Sequence, residues 1–440
     1  MIITFEWRTV LIDLEAEKQA HILRAFLVGL QHQNEDEKTI SSQLDELAEL
    51  VRNLNMIPLT PEIVKVRSGA HIRYRIGSGK AAELAQLAQE CEADVMVFDT
   101  DLTPSQQRNW ERLFGGAVIG REEVILDIFA DRASTKEAVL QVELARLEYS
   151  LPRLTRKWTH LSRQRGGGVS NRGQGEAQIE TDRRLLRKRI LQLKEELALV
   201  RKQRDTQRKA RIRRPVVQGA IVGYTNVGKS SLLRALTGAD ILVKDQLFAT
   251  LDPTARKVQL DGSLEMVLTD TVGFVRKLPH QLVEAFKSTL EEAVLADILL
   301  LVLDVSSDDI DMELETTLSV LKELGADEKN ILMIFNKTDL ADPERDAFKL
   351  ARLRSLYPDA VFVSSASGEN LDELRFRLAL FAGKSRELLQ ASIPPFRHDL
   401  IALAHSSGQV FEEEYSPDGT LRLVFAIEKK YQHRFREFIQ

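Results

Sequence analysis

One eight-residue run constrains this chain more than any other feature: Gly223-Tyr-Thr-Asn-Val-Gly-Lys-Ser230, between an apolar stretch at 216–222 and a helix-like stretch at 231–236. It matches G-x-x-x-x-G-K-[ST] in the strand–loop–helix setting that the motif requires. A loop of this kind has to leave a buried strand and open a helix, so that backbone N–H groups converge on one anion. The residue types follow from that task. Gly223 and Gly228 let the backbone approach phosphate, Lys229 brings positive charge to the β/γ-phosphates, and the Ser230 hydroxyl is a Mg²⁺ ligand. Tyr224, Thr225, Asn226 and Val227 complete the loop. Asn226 leaves two readings open, a K⁺ ligand near the transferred phosphate or a residue that merely stabilises the loop.

Further along, Asn336-Lys-Thr-Asp339 directly follows an apolar run, 113 residues beyond Gly223. A carboxylate at Asp339 can accept from guanine N1–H and N2–H₂. Adenine has no such donor pair and would leave the carboxylate unpaired at a cost. The expected ligand is therefore GTP or GDP, with Asn336, Lys337 and Thr338 forming the rest of the base loop. Asp270-Thr271-Val272-Gly273 ends another strand; Asp270 can reach the Mg²⁺ shell through water, and the Gly273 N–H can contact the γ-phosphate. Phe248-Ala249-Thr250-Leu251-Asp252 lies between these motifs in a stretch of poor periodicity. Thr250 is the candidate second Mg²⁺ ligand, with Thr254 as its competitor. Ser365-Ala366-Ser367 would meet the guanine O6 through backbone N–H. Lys229, Thr250 and Gly273 are the residues expected to act in hydrolysis. Phe274 stands where related enzymes carry a water-orienting Gln, and a phenyl ring cannot hydrogen-bond water. Turnover should therefore be slow unless another group, or a partner, positions the water.

Around this centre the chain alternates. Ala25–Leu30, Ile63–Val66 and Val95–Phe98 read as strands, residues 37–54, 79–91 and 104–114 as helices, and Val124–Phe129 as a further apolar run. Alternation of this kind favours an α/β layer with a mainly parallel sheet. Then the pattern changes. Leu140, Leu144, Leu147, Leu151, Leu154, Trp158 and Leu161 repeat at heptad spacing, as do Leu186, Ile190, Leu193, Leu197 and Val200. Between the seams, 165–175 is too glycine-rich to be expected to stay helical. The seams predict two helices in an antiparallel hairpin, with Pro152 kinking or breaking the first. The expected fold is thus multidomain α/β. It comprises an N-terminal α/β domain (1–139), a coiled-coil hairpin (140–213, tip 166–175), a P-loop domain (214–389) and a small α+β C-terminal domain (390–440). In the last, the sequence reads as helix, hairpin and helix, with Ser416–Gly419 as the turn.

Charge sets the hairpin apart. From Pro152 to Arg214 there are 20 Lys+Arg and 6 Asp+Glu, a net of +14, in a chain whose total is −5. The whole-chain balance excludes a uniformly basic nucleic-acid binder, whereas the local excess points to an anionic partner such as RNA. The RNA-contact candidates are Arg163, Arg165, Gly166, Gly167, Gly168, Arg172, Gly173 and Gly175. The single cysteine, Cys91, leaves no intramolecular disulfide or cysteine zinc cluster. The apolar run Ile298–Leu303 is far short of the ~20 residues a membrane helix needs, and no secretory signal is visible, so a cytoplasmic monomer is expected.

These nucleotide motifs, in this order, are those of translation-factor-related GTPases. Two further stretches narrow the match: the tip Arg165–Glu176, and Asp127-Ile-Phe-Ala-Asp-Arg-Ala-Ser134 leading to Leu151-Pro-Arg-Leu154. Over roughly residues 25–385 the chain resembles the HflX family of ribosome-associated GTPases. That resemblance implies the four-part architecture above and binding to the large (50S) ribosomal subunit and its rRNA. It also implies a role in splitting or recycling ribosomes, in some members under stress. Rival readings are a ribosome-assembly GTPase, an RNA-binding module that has lost hydrolysis, and a GTPase of membrane dynamics or metal transport. Ile76-Gly-Ser-Gly-Lys80 lacks the first glycine of the phosphate motif and reads as a helix start. His398 and His405, on a predicted helix without ligand-spaced partners, read as surface residues.

Overall fold

The computed structural model describes the chain except residues 1–21, 34, 67–71, 155–170, 212–215, 239–246, 249, 252, 261–263, 277–291, 327–328, 343, 385, 417–418 and 440. It divides into two compact units. The first is Met1–Ala198 with Lys244–Asp252 and Val275–Lys287; the second is Leu199–Val243, Pro253–Phe274 and Ser288–Gln440.

The first unit is built on an all-parallel sheet of β1 (Arg24–Gln31), β2 (Ile57–Pro58), β3 (Glu62–Lys65), β4 (Val95–Phe98) and β5 (Ala117–Gly120). The order is β2-β1-β4-β5, with β3 pairing β1 beyond β2. Helices α1 (Glu37–Asn53), α2 (Ser78–Glu90), α3 (Pro104–Phe114) and α4 (Arg121–Arg132) cover it. Ile40, Leu44, Leu47, Leu50 and Val51 form the buried face of α1, as the 3.6-residue period predicts. Gly29 of β1 is needed there, because a Cβ would lie 2.8 Å from Leu44 Cδ1. Phe26, Val28, Met96, Phe98 and Val118 pack with Leu84, Trp110 and Phe114 from α2 and α3. The Gly77-Ser78-Gly79-Lys80 run starts α2, and Lys80 pairs with Glu83 at 2.7 Å.

The apolar run Val124–Phe129 lies in α4, and the four-residue strand β5 precedes it. Val124, Ile125, Ile128 and Phe129 are all at most 1% exposed. A helix buried on several sides reads as a nearly continuous apolar run, interrupted here by Asp127, which periodicity cannot distinguish from a buried strand.

The hairpin departs from expectation in part. Its first helix, α5 (Lys136–Ser150), stops before Pro152, the break that the proline predicts. Arg153 then lies over the Tyr149 ring at 3.3 Å and donates to Gln107 Oε1 and to the carbonyls of Leu102 and Tyr149. This locks the turn. The next described helix, α6 (Asn171–Arg211), is 41 residues long and contains Gly173 and Gly175. Residues 171–175 of the expected tip are therefore helical, because helix propagation over so long a segment absorbs the ~1 kcal/mol that each glycine costs. Leu186, Ile190, Leu193 and Leu197 are buried, as their spacing implies. Glu143 pairs with Arg189, and Glu148 with Lys194, each at 2.8 Å. Both pairs advance along the two helices in the same sense, so α5 and α6 run parallel there. Trp158 and Leu161 of the first expected seam lie outside the described residues.

The second unit holds a six-stranded sheet of order β11-β10-β9-β6-β8-β7. Its strands are β6 (Val217–Gly223), β7 (Thr254–Gln259), β8 (Glu265–Asp270), β9 (Ile298–Asp304), β10 (Asn330–Asn336) and β11 (Val361–Phe362). All pairs are parallel except β7–β8. Helices α7 (Lys229–Thr237), α8 (Ile310–Glu323), α9 (Ala347–Leu356) and α10 (Leu371–Lys384) complete this layer. Ile298–Leu303 is buried along its whole length, the mark of a central strand covered on both faces. A small antiparallel sheet follows, ordered β12-β14-β13, from β12 (Arg386–Ile393), β13 (Gly408–Tyr415) and β14 (Leu421–Glu428). Helices α11 (His398–Ser407) and α12 (Lys429–Phe435) pack on it around Leu400, Ala404, Phe425 and Phe435. The predicted helix, hairpin and helix are present, and β12 precedes them, straddling the expected boundary at 389/390.

Candidate nucleotide site

The phosphate loop joins β6 to α7 at the carboxyl end of a central parallel strand. Two of its glycines are obligatory. Gly223 has φ +150° and would drive a Cβ to 2.3 Å from the Val302 carbonyl oxygen; Gly228 has φ +90° and would meet Asn336 Nδ2 at 2.3 Å. Asn226 also adopts the left-handed region, at φ 61°, and is exposed. Lys229 folds back into the loop and donates to the carbonyls of Tyr224, at 2.6 Å, and Gly223, at 3.2 Å. Burial pushes its ammonium down to about 8, against the pull of Asp270 and Glu313. A buried lysine whose hydrogen-bond partners are neutral carbonyls is strongly attractive to an anion.

Ser230 donates from Oγ to Asp270 Oδ2 at 2.6 Å. A hydroxyl and a carboxylate side by side at the start of α7 are hard oxygen donors suited to Mg²⁺. From Asp270 the chain passes through Thr271, whose hydroxyl donates to Ile221 O, and Val272 to Gly273. Gly273 cannot carry a side chain: its Cβ would lie 2.7 Å from Lys229 Nζ and 2.9 Å from Thr225. Phe274 points the other way. It is 1% exposed in the core, its N–H donates to Gly223 O, and its carbonyl accepts from Thr225 N at 2.7 Å. The structure thus brings Thr225, Lys229, Ser230, Asp270 and Gly273 together and withdraws Phe274.

The base loops are tied to the phosphate loop by one side chain. Asn336 is fully buried, donates from Nδ2 to Val227 O at 2.8 Å and accepts at Oδ1 from Ser365 N at 3.0 Å. Asp339 accepts at Oδ1 from Ser364 Oγ, which also receives the Ser367 N–H. Lys337, at φ 65°, pairs with Asp304 at 2.7 Å, and Thr338 donates to Glu369. Ala366 lies in the turn between the two serines. Ser364 and Asp304 were not singled out from the sequence. Their only signal is position, at or just beyond the ends of β11 and β9.

Phe248, Thr250 and Leu251 belong to the first unit. There Phe248 packs edge-on against Phe129 with ring centroids 4.6 Å apart, and Leu251 is buried. Ala249 and Asp252 lie outside the described residues. Thr254 opens β7, in register with Asp270. Arg163, Arg165, Gly166, Gly167 and Gly168 are likewise outside the described residues; Arg172, Gly173 and Gly175 lie in the first turns of α6, where only the backbone is described.

Comparison with known proteins agrees with this layout. Residues 41–130 match the N-terminal region of the GTP-binding GTPase family, 132–211 its middle region, and 218–337 the 50S ribosome-binding GTPase family. The GTPase HflX of Akkermansia muciniphila is 49% identical over 415 residues, covering 92% of this chain and 94% of that protein. GTPase HflX of Escherichia coli K12 is 43% identical over 359 residues, covering 81% and 83%. Such identity across nearly the whole length, with the nucleotide motifs gathered on one sheet edge, means that the chain belongs to the HflX family and is a GTP-hydrolysing enzyme.

Proposed function

We propose that this chain is a GTP-operated switch of the large ribosomal subunit, binding it in the GTP state and leaving after hydrolysis, with splitting or recycling of ribosomes as the outcome. The observation that carries this reading is the match of residues 218–337 to a 50S ribosome-binding GTPase family, within relatives that align along most of the chain. Lys229 offsets charge on the β/γ-phosphates, and the Gly273 N–H and loop amides from Gly223 to Ser230 hold their oxygens. Ser230 is the direct Mg²⁺ ligand and Asp270 acts beside it, with Thr250 as the second ligand and Thr254 its competitor. When bound, the Mg²⁺ offsets negative charge as the γ-phosphate leaves. Asp339 reads the guanine edge, with the Ser365–Ser367 amides at O6 and the Lys337 stem against the ring.

Because Phe274 is buried, turnover alone is slow, and the large subunit stimulates it at least tenfold, a lowering of ~1.4 kcal/mol in the barrier. The basic segment around α6 draws the arm to rRNA with an affinity that falls as salt rises. Sucrose-gradient profiling of ribosomes with GTP, GDP and a non-hydrolysable analogue tests the reading. Co-migration with the 50S peak, and a shift from 70S to subunits with GTP, supports it; co-migration with no fraction refutes it. Exchange of Na⁺ for K⁺ in the hydrolysis assay separates the two readings of Asn226: acceleration identifies a K⁺ ligand, no change a loop-stabilising residue.

A further inference from the structure

Thr225 occupies the third position of the phosphate loop, where the motif asks for no side chain. Its backbone is pinned, since the N–H donates to Phe274 O at 2.7 Å. The residue is 5% exposed, and its Oγ1 is buried with no hydrogen-bond partner. A buried unpaired hydroxyl costs ~1–3 kcal/mol. Val would fill the same volume without that cost, so the hydroxyl is explained better by a ligand than by packing.

Its surroundings indicate which ligand atom. The point that a Cβ on Gly273 would occupy lies 2.9 Å from Thr225 Cα and Cγ2 and 2.7 Å from Lys229 Nζ. Thr225, Lys229 and Gly273 therefore border one small space, and the latter two are the groups that address the γ-phosphate in the reading above. Phe274, at the position of a water-orienting side chain, is committed to the core. We propose that the Thr225 hydroxyl positions the attacking water for GTP hydrolysis. This rests on the assignment of the GTP site to this loop. In the step, the water oxygen bonds to the γ-phosphorus while the bond from that phosphorus to the β,γ-bridging oxygen breaks, its electron pair leaving with GDP. The water proton passes to the released phosphate. Thr225 accepts a hydrogen bond from the water and is unchanged at the end.

Two variants isolate the hydroxyl. Thr225→Val keeps the shape and removes the oxygen; Thr225→Ser keeps the oxygen and removes the methyl that faces Gly273. GTP affinity is read by equilibrium binding and the chemical step by single-turnover hydrolysis, because removing a group that acts only in the transition state lowers the rate without weakening ground-state binding. The expected result is a rate about tenfold or more lower in Thr225→Val at unchanged GTP affinity, with Thr225→Ser close to wild type. A Thr225→Val protein that hydrolyses at the wild-type rate overturns the proposal. So does equal slowing of both variants, which would make the methyl contact responsible, or a loss of GTP affinity in Thr225→Val that matches the loss of rate. Failure of the wild-type chain to bind GTP would instead remove the site assignment itself.

Discussion

The all-parallel sheet of the first unit and the mixed sheet of the second both end strands in polar clusters, and among the described residues the two clusters are arranged differently. In the first unit, Arg121 directly follows β5 and is 2% exposed. It donates to Asp99 Oδ1 at 2.6 Å and lies 2.9 Å from Glu46 Oε2, while Glu123 accepts from Gln107 and Tyr149. There, charge meets opposite charge within the protein. In the second unit, Lys229 is equally buried but bonds to neutral carbonyls of its own loop, and Thr225 Oγ1 bonds to nothing. Polar residues at the carboxyl ends of strands are therefore not a site by themselves. What marks a site is demand left unmet, at a place where backbone amides and a helix N-terminus add to it.

The widest gap between the two regions should appear on removing a lysine from each glycine-containing helix start. Lys229→Ala should lower GTP hydrolysis at least ~10³-fold, about 4 kcal/mol in the barrier. Lys80→Ala, which removes only an exposed pair with Glu83, should stay within about twofold, as expected for a surface ion pair. Comparable losses in both would make the first unit a second phosphate site. The converse test is on stability. Arg121→Met leaves Asp99 and Glu46 buried beside an apolar chain, and breaking a buried pair in this way costs ~3–5 kcal/mol. Chemical denaturation should register that loss; a change below about 1 kcal/mol would show that the cluster is not what holds the unit together.

A smaller effect separates the bases. Asp339→Asn should weaken GTP by ~1–3 kcal/mol and raise relative affinity for xanthosine nucleotides, whose N2 position is a carbonyl. Competition by ATP equal to that by GTP in the wild-type chain would contradict the assignment.

The same contrast explains which parts could be read from the sequence. The turn glycines of the candidate site were legible because the backbone needs them at fixed places: Gly228 sits at φ +90°, and a Cβ on Gly223 would meet the Val302 carbonyl. The Arg121 cluster has no such spacing, since Glu46, Asp99 and Arg121 meet only through the packing of α1, β4 and α4. Strand β7 was missed because only Val258 among its six residues is buried, so an edge strand exposed on both faces carries no alternating pattern. The break after α5 was legible in Pro152. The parallel sense of α5 and α6 was not, because heptad spacing fixes a seam and says nothing of direction.

The finest distinction between the two regions is their response to pH. Glu122, half-buried next to the Arg121 cluster, is pushed up to about 7 from 4.5, first by burial and then by the nearby Asp101, against the pull of Arg153. Between those values the folded state holds a proton that the unfolded chain releases. The stability this contributes is complete below pH 4.5 and is lost as pH rises through 7. Glu122→Gln should therefore leave Tm nearly unchanged at pH 5 and raise it at pH 8. Lys229 runs the opposite way, its ammonium lowered to about 8 by burial. The unfolded chain holds that proton up to 10.5, so the empty protein gains stability as pH climbs from 8 towards 10.5. Phosphate charge restores the ammonium, and GTP binding above pH 8 should take up a proton and weaken with rising pH. Calorimetry in buffers of different ionisation heat measures that uptake directly. The Glu122→Gln chain should show the same uptake as wild type, because its titration belongs to folding of the first unit. A change in uptake in that variant would mean that the two polar clusters are linked, and the comparison between them would no longer separate strength from binding.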